Sequence, residues 1–285
     1  MLLVNSNDIS SQSALLPMSP ESFQEYLQFG NMAPNTILSY VFAVKQFFRL
    51  YGRVTASSLQ LYKVYLLEHY RPQTVNLRIR ALNCYMEACR LTDNKITMLK
   101  VQQKMYAECI ISEADYEYLK ACLIRDEKYL YYFIIRYMAA TGVRVSELVE
   151  IQVEDVYKGY RDIYSKGSKH RRIYIPKLLR EASIRWLKYE GISKGDIFLN
   201  RFGSRITTGG IRAQLKKAAI RYGLDPLVVY PHSFRHRFAK NFIERCSDIS
   251  LLSDLLGHES LETTRIYLRR TSTEQKQIVN KVVNW

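Results

Sequence analysis

Hydrophobic positions in the first third of the chain recur at the spacing of amphipathic helices. In APNTILSYVFAVKQFFRLYG the apolar positions follow the helical repeat, with Asn35 placed to cap the start and Gly52 to end the helix. The segments SPESFQEYLQFG, ASSLQLYKVYLLEHY and QTVNLRIRALNCYMEACRL show similar patterns. Ser19 is a suitable cap for the first of them, and Pro20 suits its first turn. Residues 19–104 are therefore predicted to form a helical domain.

A second set of patterns begins after a stretch of weak periodicity that ends near Glu113. We place a linker at 105–111 and a second domain at 112–285, with Ser112 capping its first helix. In this domain EKYLYYFIIRYMAATG, TTGGIRAQLKKAAIRYG, SFRHRFAKNFIER and ISLLSDLLG are predicted helices, and DIYSKGSKHRRIYIP predicts a hairpin. Residues 1–18 are expected to be a flexible tail. The predicted fold class is mainly α with a small antiparallel sheet, in two lobes.

The net charge changes this picture, because it is strongly positive on both predicted lobes. The chain carries 42 Lys and Arg against 27 Asp and Glu, a net charge of +15. Residues 1–104 hold 11 of these cations against 6 acids, so the surplus is not confined to one end. Such a distribution favours a clamp around a polyanion, either nucleic acid or an acidic membrane surface. The membrane alternative lacks the basic amphipathic helix that it needs, and no stretch approaches about 18 apolar residues.

Cysteine usage indicates a reducing compartment. The chain has five cysteines, an odd number, and none of them forms a C-x-x-C pair. This argues against a disulfide framework and against a zinc knuckle. The start of the chain, MLLVNSNDISSQS, lacks the basic and apolar regions of a signal peptide. The expected location is therefore the cytoplasm.

Two stretches of the second domain carry arginines suited to binding a phosphate. Arg144 follows the predicted helix stop at Gly142 and can offer a two-pronged fork, although an ordinary pair with Glu147 explains it more simply when it is taken alone. His232 and Arg235 are three residues apart near a helix start, where free N–H groups attract phosphate. A capping histidine and a solvated arginine are the alternative there.

Two further stretches carry candidate proton donors and a candidate nucleophile. The turn SKGSKHRR either follows a phosphate backbone or protects a sheet edge with charge, and a lysine in it can act as a general acid. His258 follows Gly257 at the predicted end of an apolar helix. Tyr267 comes nine residues after His258, on the predicted polar face of the next helix, beside Arg270. Taken alone, Tyr267 is more simply interpreted as a packing residue.

Taken in order, these residues resemble the signature of the tyrosine recombinase family, which includes the phage integrases and the Xer proteins. That family carries R…K…H-x-x-R…H/W…Y, and the matching stretches here are ATGVRVSELVEI, IYSKGSKHRRIYIP, HSFRHRFA and LLGHESLETTRIYL. One departure is Phe234, where a leucine commonly precedes the arginine. The helical part is similar to the family's core-binding domain through NTILSYVFAVKQFF and TVNLRIRALNCYMEA. The resemblance covers nearly the whole chain.

The resemblance implies an enzyme that cuts and rejoins DNA strands through a 3′-phosphotyrosyl intermediate, with no metal, ATP or other cofactor. It implies that Tyr267 is the nucleophile and that the other catalytic residues are Arg144, Lys166, His232, Arg235 and His258. The arginines would stabilise the charge that builds on the phosphate, with a hydrogen bond from His258. Lys166 would protonate the leaving oxygen, with Lys169 as an alternative, and His232 would assist proton transfer at the tyrosine.

The resemblance also implies partners. These are double-stranded DNA with paired inverted-repeat core sites and a homotetramer in the synaptic complex, with a monomer as one option for the free protein. An accessory directionality factor remains an option, and no membrane is involved. The C-terminal segment TSTEQKQIVNKVVNW is interpreted as a helix that docks on a neighbouring subunit, or else packs on its own domain. Candidate DNA-binding residues are Lys45, Arg49, Arg78, Arg80, Lys169, Arg171 and Arg172.

Two rival interpretations share much of this pattern. One is a non-catalytic DNA-binding regulator on the same fold, which would be expected to have lost part of the active-site set. The other is a site-independent, tyrosine-dependent enzyme that nicks or relaxes DNA. The residues do not separate integration, excision, inversion and dimer resolution, and they do not identify the DNA site.

Overall fold

The computed structural model describes residues 18–91, 95–101, 110–165, 169–258, 260–267, 276 and 279–283. The chain divides into two compact units, with the division between Gln103 and Lys104. The predicted flexible tail lies outside the described residues except for Met18. The Met18 carbonyl accepts a hydrogen bond from the Tyr85 hydroxyl at 2.6 Å. Met18 therefore belongs to the folded N-terminal unit and not to the tail.

The N-terminal unit is helical, and its helices are α1 (Pro20–Phe29), α2 (Pro34–Tyr51), α3 (Ala56–His69) and α4 (Pro72–Ala88). Ser19 caps α1 as predicted, since the Ser22 N–H donates to its hydroxyl at 3.1 Å. The prediction that Asn35 caps α2 is wrong, because Pro34 takes the first helical position and Asn35 already lies inside the helix. Gly52 ends α2 with a φ of 71°, as predicted.

Aromatic side chains fill the core of this unit. The rings of Phe47 and Tyr62 meet edge to face at 5.2 Å between centroids, and both are fully buried. Phe23 of α1 meets Tyr85 of α4 in the same way, also at 5.2 Å. Such edge-to-face pairs add to the free energy of burying the rings. The periodic apolar positions of the sequence therefore face one shared interior.

The C-terminal unit is mainly helical, with helices α5 (Glu113–Arg125), α6 (Tyr129–Thr141), α7 (Val145–Leu148), α8 (Val153–Lys158), α9 (Lys177–Tyr189), α10 (Thr208–Arg221), α11 (Pro231–Arg245), α12 (Ile249–Leu256) and α13 (Leu261–Arg265). The predicted hairpin is formed by strands β1 (Tyr160–Ser165) and β2 (Lys169–Tyr174). They pair antiparallel with Tyr160 opposite Tyr174. Ser112 caps α5 as predicted, and α8 and α9 were not predicted individually. The predicted fold class, mainly α with a small antiparallel sheet, is confirmed.

Three helix segments converge where α6 ends. Helix α11 packs against α6 and also against α12, through a small apolar cluster that includes Ala239 and Leu256. Gly142 ends α6 in the left-handed conformation, with a φ of 64°. A side chain at Gly142 would bring a Cβ to 2.5 Å from Cδ1 of Phe238 on α11. Glycine is therefore required there both for its backbone angle and for the close approach of α11.

The C-terminal segment of the chain is only partly described. Val279, Val282 and Val283 are exposed, and residues 271–275, 277, 278, 284 and 285 of the predicted docking segment lie outside the described residues. Among the described helices, none has the length and apolar character needed to cross a bilayer.

Candidate active site

Arg235 lies at the centre of the converging helices. Arg235 is only 4% exposed. Its guanidinium donates to the carbonyl of Gly142 at the end of α6 and to the carbonyl of Leu256 at the end of α12. Burial, followed by the charges of Arg144 and Arg171, lowers its pKa to about 10, so it remains a cation at neutral pH. The two carbonyls hold the guanidinium in one orientation. Such a fixed, desolvated cation suits the binding of a phosphate.

Arg144 lies beside Arg235, at the start of α7. Its Nη2 donates to the carbonyl of Gly257 at 2.7 Å, and its Nη1 donates to Glu147 Oε1 at 3.0 Å. The simple pairing with Glu147 therefore exists. It does not make Arg144 an ordinary surface residue, because the same side chain reaches the end of α12. Arg235 and Arg144 thus donate to the carbonyls of two adjacent residues at the end of α12, Leu256 and Gly257 respectively.

Arg171 completes this cluster, in a place that differs from the prediction. It was predicted to contact DNA, but its side chain is only 8% exposed and forms an ion pair with Glu147. Its Nη1 also donates to the carbonyl of Leu255. These donors are directed into the protein, and the contact of Arg171 with DNA stays a prediction. The alternation of side chains along β2 could have predicted this burial, because Arg171 shares a strand face with the buried Ile173.

Glu147 is the counter-ion of this group of arginines. Its carboxylate is 12% exposed, and it accepts from the backbone N–H of Arg144 as well as from the side chains of Arg144 and Arg171. Burial alone would raise its pKa, but the hydrogen bond and charge of Arg171, with those of Arg144, lower the pKa overall. Glu147 therefore stays ionised and offsets part of the repulsion among the arginines.

Replacing Glu147 by Gln is expected to lower the free energy of unfolding by about 3 kcal/mol, because it leaves buried guanidinium groups without their counter-charge. The stabilisation from Glu147 is present above the usual carboxyl pKa and is lost as the pH falls through its lowered pKa. Urea unfolding at neutral and acid pH measures both effects. Glu117→Gln is the matched control, since Glu117 forms an exposed ion pair at the same spacing with Lys120. Equal losses for the two variants would contradict this account.

His258 lies directly after the left-handed Gly257 that ends α12. Its Nδ1 is 2.7 Å from the Thr264 hydroxyl, which is buried on α13. Burial and the charges of Arg235 and Arg144 lower the pKa of His258 to about 4, so the ring is neutral near pH 7. A neutral imidazole oriented through one nitrogen can still donate a hydrogen bond through the other.

His232 occupies the first turn of α11 and is exposed. Partial desolvation, followed by the charge of Arg235, lowers its pKa. It lies one turn before His236, and the centroids of the two rings are 6.3 Å apart. The predicted position near a helix start is therefore observed, on the side of α11 that carries Arg235.

Tyr267 does not lie on a helix face, because α13 ends at Arg265 and Tyr267 follows in a turn. Its ring packs against the apolar cluster of α11 and α12, which includes Ala239 and Leu256. Its hydroxyl is hydrogen-bonded to Nδ1 of His236. The predicted polar face is therefore wrong. Burial raises the pKa of Tyr267 to about 12, against the opposing charge of Arg235, so the phenol keeps its proton at neutral pH.

Most of the predicted catalytic residues meet at this place. Arg144, Arg235 and His258 are joined through the last residues of α12, and Tyr267 follows on the next segment. Lys166 lies outside the described residues, and so does the side chain of Lys169. The sequence analysis missed Arg171 as part of this cluster and His236 as the partner of the tyrosine.

The candidate DNA-binding residues of the N-terminal unit differ in their surroundings. Arg49 and Arg80 are exposed, and Lys45 forms an exposed ion pair with Glu21 at 3.2 Å. Arg78 is half-buried, with its guanidinium 4.3 Å from the centroid of the Phe42 ring. On the hairpin, Arg172 pairs with Asp162 on the opposite strand at 2.8 Å, so its fork is already engaged.

The sequence pattern of the phage integrase family matches residues 109–274, which is more than half of the chain. The chain therefore belongs to the phage integrase family. The match includes every residue of the cluster described above. It confirms the resemblance to the tyrosine recombinases that the sequence motifs indicated.

Relatives match over most of the chain. It is 29% identical over 275 residues to the tyrosine recombinase XerA of Pyrococcus furiosus, covering 92% of each protein. It is 30% identical over 280 residues to the tyrosine recombinase XerC of Herpetosiphon aurantiacus, covering 87% of this chain and 89% of that protein. Its fold is similar to the crystal structure of the XerH site-specific recombinase bound to a palindromic difH substrate in a post-cleavage complex. That match has a TM-score of 0.70 and 18% identity, and covers 92% of this chain and 84% of the other.

Proposed function

We propose that the chain is a site-specific recombinase that cuts and rejoins DNA through a 3′-phosphotyrosyl bond on Tyr267. The observation that carries the proposal is the junction of Arg144, Arg235 and His258 at the end of α12, with Tyr267 on the following segment. Fixed cations around one place are what a phosphoryl-transfer transition state needs. The relatives named XerA and XerC, and the XerH complex with its DNA substrate, support the same class of reaction.

In the proposed reaction the hydroxyl oxygen of Tyr267 attacks a phosphodiester of the DNA, and the 5′-oxygen leaves. Arg144 and Arg235 bind the non-bridging oxygens, whose negative charge grows in the transition state. His258 adds a hydrogen bond to the same oxygens. Because the phosphotyrosyl bond conserves the energy of the broken bond, the free 5′-hydroxyl can attack it later and restore the strand without ATP.

The leaving 5′-oxygen needs a proton, and we assign its donation to Lys166, which lies between β1 and β2 in the sequence. Lys166 is close in sequence to Arg171, whose contacts with Glu147 and Leu255 attach the second strand to the proposed active-site cluster. Lys169, at the start of β2, remains the alternative donor. That His232, at the start of α11, assists proton transfer at the tyrosine stays a prediction.

The rival function is a site-independent enzyme that relaxes DNA. We expect a supercoiled plasmid without a recombination site to stay supercoiled. A plasmid with two copies of the recombination site, taken from the DNA that flanks the gene for this chain, is expected to be recombined. Agarose gel analysis of the two plasmids separates the functions. Relaxation of the plasmid without a site would favour the rival function, and complete inactivity on both plasmids would favour the non-catalytic regulator.

The proposed partners follow from the same reaction. We propose that the substrate is double-stranded DNA with paired inverted-repeat core sites, and that the synaptic complex is a homotetramer. The exposed Val279, Val282 and Val283 support a C-terminal segment that is covered by a neighbouring subunit. The basic N-terminal unit, with the exposed Arg49 and Arg80, would add contacts with the DNA phosphates. Inversion, integration, excision and dimer resolution are all compatible with this assembly.

A further inference from the structure

His236 lies against the atom that is proposed to react. Its Nδ1 is in hydrogen-bonding contact with the hydroxyl of Tyr267, and the centroids of the two rings are 5.6 Å apart at an interplanar angle of 49°. The histidine is half-buried, one turn after His232 on α11. Neither the family motif quoted above nor the assigned catalytic set includes it.

The direction of the hydrogen bond follows from the chemistry of the two groups. Burial, followed by the charges of His232 and Arg235, lowers the pKa of His236 to about 4, so its ring is neutral. The pKa of Tyr267 is raised, so the phenol is protonated. In this pair the phenol therefore donates and Nδ1 of His236 accepts, with the ring proton on Nε2. This is the arrangement from which a proton can be transferred as the oxygen becomes a nucleophile.

The other histidines of the site are less well placed for this task. Nδ1 of His258 is engaged with the Thr264 hydroxyl, and His258 follows the end of α12 that holds the arginines. His232 is exposed, and its ring centroid is 6.3 Å from that of His236. His232 lies one turn before His236 on α11, and the described contact to the tyrosine oxygen is made by His236.

We propose that His236 is a catalytic residue that accepts the hydroxyl proton of Tyr267 during DNA cleavage. The O–H bond of Tyr267 breaks, its electron pair forms the new O–P bond, and the proton moves to Nδ1 of His236. The P–O5′ bond breaks, and the 5′-oxygen takes a proton from the general acid. In rejoining, the 5′-hydroxyl attacks phosphorus and returns its proton to the general acid, while the departing Tyr267 takes its proton back from His236. The proposal rests on the proposed function of Tyr267.

The test is the single-turnover rate of covalent capture on a nicked suicide DNA site, at saturating protein. His236→Ala is expected to be about 10²-fold slower than the wild type, the usual contribution of a general base, with DNA affinity retained. His236→Gln keeps an oxygen that accepts the hydrogen bond but takes up no proton, so it is expected to be equally slow. His69→Ala removes an exposed imidazole of the N-terminal unit and is expected to react at the wild-type rate.

A second substrate distinguishes a defect in the general base from a defect in the general acid. When sulfur replaces the bridging 5′-oxygen, the leaving thiolate needs no proton, so the defect of Lys166→Ala should be relieved and that of His236→Ala should persist. A wild-type rate for His236→Ala, a restored rate for His236→Gln, or relief of the His236→Ala defect by the sulfur substrate would overturn the proposal. These results leave the nucleophile intact, whereas covalent capture by Tyr267→Phe would overturn the proposed function itself.

Discussion

Replacing Tyr267 by Phe is expected to abolish covalent capture of DNA while leaving DNA affinity within about twofold of the wild type. The phenylalanine ring keeps the packing of Tyr267 against the apolar cluster of α11 and α12, because the substitution removes only the hydroxyl. That hydroxyl is the proposed nucleophile, and its described partner is His236. The change therefore removes the chemistry with little effect on the fold. Gel electrophoresis in SDS with a labelled, nicked suicide site measures the covalent product, and a gel shift measures binding.

Tyr189→Phe is the control for this experiment. Tyr189 is an exposed tyrosine at the end of α9. Removing its hydroxyl should leave the covalent capture of DNA unchanged. An SDS-resistant adduct formed by the Tyr267→Phe protein would show that another group attacks the DNA. Loss of DNA binding together with capture would show that Tyr267 is a structural residue, and the proposed role would fail.

Replacing Arg235 by Lys is expected to slow covalent capture by about 10²- to 10³-fold, the cost of removing one preorganised donor from a transition state. A lysine carries the charge but not the planar fork that bonds to the carbonyls of both Gly142 and Leu256. One of these buried carbonyls would lose its partner, so the free energy of unfolding should also fall by about 1–3 kcal/mol. Capture rates at saturating protein and urea unfolding measure the two effects separately.

Arg237→Lys is the matched control, since Arg237 lies on the same helix and is 6% exposed. Its guanidinium pairs with Glu113 and lies 4.6 Å from the centroid of the Tyr116 ring, away from the contacts of Arg235. We expect its capture rate to stay within about threefold of the wild type, because it touches none of the proposed reacting groups. A similar slowing of both variants would mean that the loss reflects helix packing and not phosphate binding.

Helix ends were predictable wherever a local signal marks them. Ser19 and Ser112 cap their helices through the side chain, and Gly52, Gly142 and Gly257 end theirs with positive φ. These signals depend on residues that are close in sequence. The wrong cap at Asn35 arose where two local signals compete, because the preceding Pro34 also favours a helix start.

Short elements and tertiary contacts were harder to predict. Helix α8 spans only Val153–Lys158, too few residues for a clear periodicity. Helix α9 carries an apolar stripe that includes Leu179 and Trp186, so the sequence contained a usable signal there. The face of Tyr267 was predicted by extending α13, but that helix ends at Arg265 and the chain turns toward α11.

The proposed catalytic set follows from the order and spacing of its residues in the sequence, whereas the contacts among them are not local. The pairing of Arg171 with Glu147 joins residues 24 positions apart, and Arg171 also needs the end of α12 to lie against β2. The contact of His236 with Tyr267 joins residues 31 positions apart. Neither contact follows from periodicity or capping, because each depends on how elements that are distant in sequence pack together.

The identity of the residue that becomes bonded to DNA decides whether Tyr267 is the nucleophile. The chain has 22 tyrosines, so the test discriminates well. Wild-type protein is trapped on a nicked suicide site, digested with protease and nuclease, and analysed by tandem mass spectrometry. We expect a nucleotide linked through its 3′-phosphate to Tyr267. A nucleotide on any other residue, or a link through a 5′-phosphate, would contradict it.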